Sequence, residues 1–587
     1  MNYYSDEKEW KWLFNNAINW DKIIPLYFPK FPTEDGINSK EEAIQFLEEL
    51  LTQTGEWTST AVADRAATLD KEGCGEVKDG KTIPNEHLQA LYNECIELGV
   101  FGLTMPKKHG GMDLPALTNL IMVGQMSRAC LSSCTQTAFF TSIADMLLRF
   151  GPEEFKDKYI PKIVEGKISG AMCLTEPGAG SDVGAIKTTA TPQDDGTYLL
   201  NGTKTFITNA GGGLGYALAR IKGEPEGLEG ISMFFVEQEI EHDGQKIQNY
   251  KVTKNEEKMG LHGSFTCEMV YENSKSHLVG EKNMGFKYML HLMNEARLAV
   301  GIQALGCMEG AINYAKEYAK ERIQFDKPIL ELPLFARNIE DYETEMDAIR
   351  AMVVDTISYY DIFQKLDLKQ QESCDLTDEE KKLYEDAALW TRKRTPILKY
   401  YCCEASTNLT QKAIQLLGGY GFMKEYPVER MHRDSFAPLL YEGTSQVQAL
   451  MALKDIVKYA VKDPKRFFAN IFFNHPIGAI INAESDCTKR FASSHYEFKK
   501  KMIGLLIKCL KPEMNKIFNP KAWMDMDRVN ILMTHAETLC QALSYMETLR
   551  VLCYHANKDE SRHDLFFRYD KLITPRMEAI YKDWSIR

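Results

Sequence analysis

The sequence predicts an α+β fold: an N-terminal α-helical domain, a middle antiparallel β-domain, a C-terminal helical bundle and an additional C-terminal helical domain. Three observations predict it. Apolar residues recur at helical spacing up to about residue 169, as in Ala43, Phe46, Leu47 and Leu50, and again in Leu117, Leu120, Ile121 and Val123. After Gly170 the pattern shortens to β-rich runs, including 216–221, 231–236 and 265–271. From Gly285 helical periodicity returns, and it continues beyond residue 460 in Ile503, Leu506, Ile507 and Leu510. The expected divisions are an N-terminal arm over 1–35, the helical domain over 36–169, the β-domain over 170–280, the bundle over 281–460 and the added helical domain over 461–587. With 587 residues the chain is too long for one ordinary core.

Composition narrows the function classes. Hydrophobic residues at 44% and charged residues at 26% are ordinary for a globular protein. A net charge of −13 and a pI near 5.6 oppose a general nucleic-acid-binding role, because phosphate contacts need clustered positive charge. The charge is uneven: residues 461–587 hold 21 Lys and Arg against 15 Asp and Glu, so the remainder carries −19. Fourteen cysteines occur without CxxC pairs or HExxH, which points to reduced, buried thiols and to no metal site. The start, MNYYSDEKEWKW, lacks the basic and apolar regions of a secretory signal, and no apolar run approaches the roughly 18 residues of a spanning helix. A cytoplasmic protein is expected.

Taken in order, the arm carries Trp10, Trp12, Phe14, Trp20, Tyr27 and Phe28, too many aromatics for a solvated tail, and should pack on the body. Residues 99–111 are punctuated by glycine and proline and read as a loop, with His109 a loop histidine rather than a catalytic group. The glycines of Thr175-Glu176-Pro177-Gly178-Ala179-Gly180-Ser181-Asp182 are no dinucleotide fingerprint, since the last spacing is wrong and no strand-helix-strand unit surrounds them. Residues 198–208 place Asn201-Gly202 between two β-rich runs, which is a hairpin signal. Residues 365–385 are too polar for core and read as a solvated connection between helices. Further on, Glu442 follows the apolar run Ala437-Pro438-Leu439-Leu440-Tyr441 and precedes Gly443, Thr444, Ser445 and Gln446. Apolar surroundings raise a carboxylate's proton affinity and a glycine lets a ligand approach the backbone, so Glu442 is a candidate general base as well as an ordinary turn residue.

Several segments together resemble the acyl-CoA dehydrogenases, flavoproteins that introduce an α,β double bond into acyl-CoA thioesters. Arg433-Asp434 followed by Tyr441-Glu442-Gly443-Thr444-Ser445-Gln446 is similar to their catalytic segment, and 175–182 matches TEPGAGSD. Lys258-Met259-Gly260 with Gly263-Ser264 resembles KMGxxGS, and Glu321-Arg322-Ile323-Gln324-Phe325-Asp326-Lys327-Pro328 resembles ERxxFGKP. Gln415, Gly418, Gly419 and Gly421 match QxxGGxG, and Glu425, Pro427, Val428, Glu429 and Arg430 match ExPVER.

The resemblance implies FAD as cofactor and Glu442 as catalytic base. It places Leu174, Thr175, Gly180 and Ser181 along the isoalloxazine and pantetheine, with Phe206 and Thr208 at the flavin. Arg322 and Phe325 would reach the FAD of a neighbouring subunit, and Gln415, Gly418, Gly419, Thr444 and Gln446 would serve adenosine, so a homodimer at least is implied. Arg297 matches the arginine that contacts CoA, while Ser181, Tyr441 and Gly443 would contact substrate. Three departures stand out: Phe206 where tryptophan is common, Asp326 in place of the usual glycine, and Pro333 where many relatives have glutamine. Some relatives carry their glutamate immediately before the arginine. Here that place is Ala296, and Glu295 lies about 100° further round a helix and should point elsewhere.

The implied reaction is FAD-dependent α,β-dehydrogenation of an acyl-CoA to the trans-2-enoyl-CoA. The thioester carbonyl would be held by the Glu442 N–H and a ribityl hydroxyl, and electrons would pass to an electron-transferring flavoprotein. Two other classes are an acyl-CoA oxidase, which uses oxygen, and a DNA-associated non-catalytic flavoprotein of the same fold, which would use the basic tail. Residues 461–473 mix basic and aromatic side chains, read either as a peripheral membrane contact or as a domain junction with buried phenylalanines. Acyl-chain length depends on pocket depth, expected to be set by helices around 120–150 and 285–300.

Overall fold

Helices before residue 168 form where capping residues and apolar stripes coincide. Ser39 caps Lys40–Trp57 by accepting the Glu42 N–H, and Asn85 caps Glu86–Glu97 through the Leu88 N–H. The buried stripe of the first is Ala43, Leu47 and Leu51, whereas Phe46 is 39% exposed. Helices Ala116–Ala129 and Leu131–Phe150 are almost wholly buried on their facing turns and form the wall against which the later elements pack. The arm folds as Lys8–Trp12, a π-turn Leu13–Ala17 and Trp20–Tyr27, and it buries Trp10, Phe14 and Trp20. This computed structural model describes residues 1–372, 375–462, 483, 485–511, 513–516 and 525–586.

A seven-stranded sheet follows, in the order Lys251–Asn255, Thr266–Val279, Tyr198–Thr208, Thr189–Pro192, Gly213–Ile221 and Ser169–Cys173; Ile231–Glu237 pairs with both Thr266–Val279 and Gly213–Ile221. Most pairs are antiparallel, but Ser169–Cys173 and Thr189–Pro192 run parallel to Gly213–Ile221. The hairpin expected at Asn201-Gly202 is not formed. Tyr198–Thr208 is one continuous strand in which Asn201 faces Thr189 and Gly202 faces Tyr271. Asn201 instead closes a bulge in the next strand: its Oδ1 accepts the Asn273 N–H at 3.0 Å and its Nδ2 donates to Asn273 Oδ1 at 3.0 Å. Gly202 answers to packing, because a Cβ there would lie 2.4 Å from Thr188 Oγ1. Pairing on both edges overrides the local turn signal.

The bundle consists of the long helices Gly285–Glu321, Pro333–Gln371 and Asp378–Leu417, which pack along one another. Residues 365–385 are not the long solvated connection expected from their polarity. Two helices run through them, and Thr377 and Glu380 form a reciprocal capping box at the start of the second. The charges are paired, Lys365 with Asp113 at 2.7 Å, Lys369 with Glu380 at 2.6 Å and Arg149 with Asp367 at 2.9 Å, while Leu366 and Ala387 turn inward. A polar stretch therefore remains helical because part of its charge is paired and its inner face is buried.

Four more helices, Asp486–Leu510, Met526–Met533, Ala536–Lys558 and His563–Ile586, form the added C-terminal part. Ala536–Lys558 packs on Pro333–Gln371, Asp378–Leu417 and Ser445–Lys462. Arg576 reaches both oxygens of Glu345 at 2.6 and 2.9 Å, and the Tyr401 and Tyr569 hydroxyls meet at 3.1 Å. Arg562 pairs with Glu9 of the arm, and Trp12 Nε1 donates to Asp559 at 2.7 Å. Part of the tail's basic surplus is thus matched by carboxylates of the acidic body. Residues 463–473, read as membrane contact or junction, lie outside the described residues. Among the described residues no helix is long and apolar enough to cross a membrane, and the cysteines are free and buried.

Candidate active site

The turn 441–444 joins the short helix Ala437–Leu440 to Ser445–Lys462. Glu442 and Gly443 are consecutive left-handed residues, with φ of 57° and 89°. A glutamate rarely adopts that conformation and keeps it only when its surroundings over-determine it. They do so through the carbonyls. Glu442 O accepts Arg297 Nε at 3.1 Å and Gln448 Nε2 at 3.0 Å; Gly443 O accepts Lys399 Nζ at 2.7 Å and Gln448 Nε2 at 3.1 Å. Thr444 starts the following helix by accepting the Gln448 N–H at its carbonyl and the Val447 N–H at Oγ1. Tyr441 anchors the other end, its hydroxyl donating to Gln303 Oε1 at 2.9 Å.

Tying both carbonyls inward leaves the Glu442 N–H without an intrachain acceptor among the described residues. The carboxyl oxygen Oε2 is out of solvent and has no partner. Burial pushes the Glu442 carboxyl up to about 7, against the opposing pull of Arg297 and then Lys399. Such a group near neutral pH is poised to take a proton. Glu295 also has a buried, unpartnered Oε2, and burial, with Asp145 beside it, raises it to about 8, but it faces a different cluster, Asp145, Arg149 and Tyr360, and not Arg297 and Lys399. Arg297 departs from its expected role. It is 3% exposed, with its guanidinium held between the Glu442 carbonyl and Asn294 Oδ1 at 2.9 Å, so it braces the turn and offers no open surface to a CoA phosphate.

A second group gathers on the β-domain. Leu174 is buried and Thr175 half-buried, whereas Gly180 and Ser181 are exposed beside Thr175 Cγ2. The loop is tied down from below by Lys204, which donates to Glu176 Oε1 at 2.7 Å and to the Leu174 and Leu218 carbonyls at 3.1 and 2.7 Å. On the adjoining strand Tyr198–Thr208 a bulge, in which Thr205 and Phe206 together oppose Glu268, throws Phe206 outward: its φ is 59° and its ring is 64% exposed, with Thr208 half-buried two residues on. A phenylalanine held in a left-handed conformation and open to solvent is shaped for a flat partner. Helix Leu131–Phe150 connects this group to the turn. Gln136 Nε2 donates to Asn209 Oδ1 at 2.8 Å, and Leu131 shares a small apolar cluster with Tyr441. The Arg433-Asp434 pair braces from the other side, Asp434 accepting the Leu261 N–H at 2.7 Å and Arg433 reaching Asp70 and Glu429.

The third group lies elsewhere. Arg322, Gln415, Gly418 and Gly419 line an open cavity of about 530 Å³ with Tyr318, Tyr420 and Met423. Phe325, 84% exposed, stands at the tip of a tight turn in which Phe325 and Asp326 have φ of 52° and 62°. Aspartate tolerates that conformation, so Asp326 preserves the turn that a glycine would make. Pro333 opens the next helix, where its missing N–H costs nothing. Arg297 lies within Gly285–Glu321 and Arg322 caps its end 25 residues on, about 37 Å along the axis, so the third group stands well apart from the turn of its own chain. Gln446, expected at adenosine, donates to Glu537 of the C-terminal helices at 2.9 Å. Thr444 is engaged as the cap described above.

Lys399, Gln448, Gln303 and Lys204 were not singled out from the sequence. Lys399 had a usable signal, a lone charge within the apolar run 396–403, since a lysine on a buried face needs a partner. The glutamines had none.

Three family models match the chain: acyl-CoA dehydrogenase N-terminal domain over residues 47–167, middle domain over 171–274 and C-terminal domain over 283–457. Acryloyl-CoA reductase (NADH) of Anaerotignum propionicum is 34% identical over 64% of this chain and 89% of that protein. The Caffeyl-CoA reductase-Etf complex subunit CarC of Acetobacterium woodii is 34% identical over 65% of this chain and 93% of its own length. Among solved structures, an acyl-CoA dehydrogenase complexed with FAD from Bacillus anthracis shares the fold at TM-score 0.75 and 22% identity, covering 97% of this chain and 91% of that one. That likeness extends over the C-terminal helices, which the family models leave out.

Proposed function

This chain belongs to the acyl-CoA dehydrogenase family of FAD-dependent oxidoreductases, and on that premise we propose that it dehydrogenates an acyl-CoA thioester at Cα and Cβ with Glu442 as the base. The observation that carries this reading is the Glu442 carboxyl itself: its Oε2 is out of solvent and partnerless and the group is raised to about 7, on a turn whose Glu442 and Gly443 carbonyls are tied inward. An ionised Glu442 takes the α-proton, and the N–H of the same residue is available to the thioester oxygen, where charge develops. Bound FAD supplies the acceptor for the β-hydride.

The residues fit that cofactor. The exposed ring of Phe206 suits a flat heterocycle, the open backbone at Gly180, Gly418 and Gly419 admits close approach, and Arg322 suits a pyrophosphate. Leu174, Thr175, Ser181 and Thr208 would border the flavin. Arg322, Phe325, Gln415, Gly418 and Gly419 would hold the FAD of a neighbouring copy, which makes the working unit at least a homodimer.

An electron-transferring flavoprotein is the proposed acceptor, supported by the relative named as part of a reductase-Etf complex. Both reported relatives are named reductases, so turnover should be assayed in both directions. The test is Glu442→Gln: FAD content and acyl-CoA binding stay, while turnover falls roughly 10³–10⁴-fold, the scale of a general base. Near-normal turnover in that variant would remove Glu442 from the role. Anaerobic flavin bleaching with a panel of acyl-CoA thioesters assigns the chain length, and peroxide release under air would mark an oxidase.

A further inference from the structure

The turn that carries Glu442 is clamped at two consecutive carbonyls by side chains from three helices. Arg297 comes from Gly285–Glu321, Lys399 from Asp378–Leu417 and Gln448 from Ser445–Lys462. Of these, Lys399 is the least expected. Its residue is 0% exposed and its 2.7 Å bond to the Gly443 carbonyl is the shortest of the clamp. A neutral carbonyl does not balance a buried ammonium, so the charge must look to a nearby anion.

Of the two carboxylates near Lys399, Glu404 is exposed and solvated, which leaves Glu442. Lys399 is flanked by the buried thiol of Cys403 and by Glu404 on its own helix, by the cation Arg297 from Gly285–Glu321, and by Glu442 across the clamp. Cys403 is pushed up to about 12 by burial and stays neutral. Gln448 is uncharged, and Tyr441 points its hydroxyl away to Gln303. Arg297 and Lys399 are the two cations that act on Glu442. Arg297 also bonds Asn294, whereas among the described residues Lys399 has only the Gly443 carbonyl.

We infer that Lys399 is a positioning residue of the reaction: through the Gly443 carbonyl it holds the base's turn in its left-handed form, and its buried charge favours the carboxylate of Glu442. This rests on the reading of Glu442 as the base. The two parts separate by substitution. Lys399→Gln keeps a donor for the Gly443 carbonyl and loses the charge, Lys399→Met loses both, and Lys399→Arg keeps both.

The experiment titrates the Glu442 carboxyl directly in the FAD-loaded enzyme, by the infrared C=O band that disappears in Glu442→Gln. In Lys399→Gln the midpoint of that band should rise by about one pH unit or more, leaving about tenfold less carboxylate per molecule at fixed pH well below the midpoint. The acid limb of the kcat/KM profile should move with it, and Lys399→Arg should restore both. In Lys399→Met the affinity for acyl-CoA should fall as well, because the turn is no longer held. If Lys399→Met does not accumulate as folded protein, Lys399→Gln alone decides the charge. A midpoint in Lys399→Gln within about 0.3 pH unit of the native enzyme overturns the proposal even if Glu442→Gln is inactive. A Glu442→Gln enzyme that turns over normally overturns the base assignment instead, and the infrared titration keeps the two failures apart.

Discussion

The turn that carries Glu442 and the edge that carries Arg322 are supplied by the same two long helices and are finished to opposite degrees. At the turn, the Glu442, Gly443 and Thr444 carbonyls are taken, the cations are buried and the strained φ of Glu442 is held by four hydrogen bonds. Some 25 residues further along Gly285–Glu321, Phe325 is 84% exposed, Tyr420 45% and Phe422 79%, around an open cavity. Large apolar side chains clustered in water are an incomplete surface. The difference teaches that one chain can close a turn completely with its own side chains and leave another edge open, which is the edge the proposed function assigns to FAD and a second copy.

The strongest way to break this contrast is at the finished end. Glu442→Gln should lower kcat by roughly 10³–10⁴-fold while light scattering and the flavin-to-protein ratio stay unchanged, since it touches the base and not the outer edge. Loss of assembly in that variant would mean that the two regions are not independent.

Next in size is a pH-linked stability effect. Glu442 is raised in the folded protein from 4.5 to about 7, so its protonated form is favoured there. The native enzyme therefore keeps this contribution below pH 4.5 and loses it as pH rises through about 7. Glu442→Gln, which cannot ionise, should be more stable than the native enzyme at pH 8 by up to roughly 3 kcal/mol, and nearly equal to it at pH 4.5. Thermal unfolding of the substrate-free enzyme at the two pH values measures this, and equal differences at both would contradict a buried base.

The unfinished end is sharpened by Arg322→Ala. Removal of one charge-assisted bond to pyrophosphate should weaken FAD binding by about 1.5–3 kcal/mol, read as flavin lost on dilution, with the acid limb of the pH profile unmoved. Phe325→Ser should shift the assembly toward monomer. The smallest effect belongs to Gln446→Ala. Because Gln446 bonds the exposed Glu537, FAD content should be unchanged and stability should fall by less than about 1 kcal/mol. Marked loss of FAD would return Gln446 to the adenosine site.

Legibility in the sequence tracked how local each determinant is. Glu442 was readable because an isolated carboxylate beside glycine follows an apolar run, and the motifs that accompany it come in family order. The helical and β regions were readable from periodicity. Asn201-Gly202 misled because its turn propensity is local while its bulge is imposed by Asn273, 72 residues away. The polarity of 365–385 misled because composition does not reveal that Asp113 and Arg149, far away in sequence, are partners for Lys365 and Asp367. The bond from Arg297 to the Glu442 carbonyl was not readable, since a residue's number gives its helical angle and not what lies opposite.

By itself the sequence determined the family, the order of helical and β parts, and which carboxylate is set apart, because each rests on neighbours a few residues away. Only the tertiary structure decided that Lys399, Arg297 and Gln448 meet two carbonyls, that Glu295 faces a different cluster, and that the turn and the outer edge stand some 37 Å apart on one helix. Burial and the field of buried charges are properties of how distant segments pack. No window of sequence contains them.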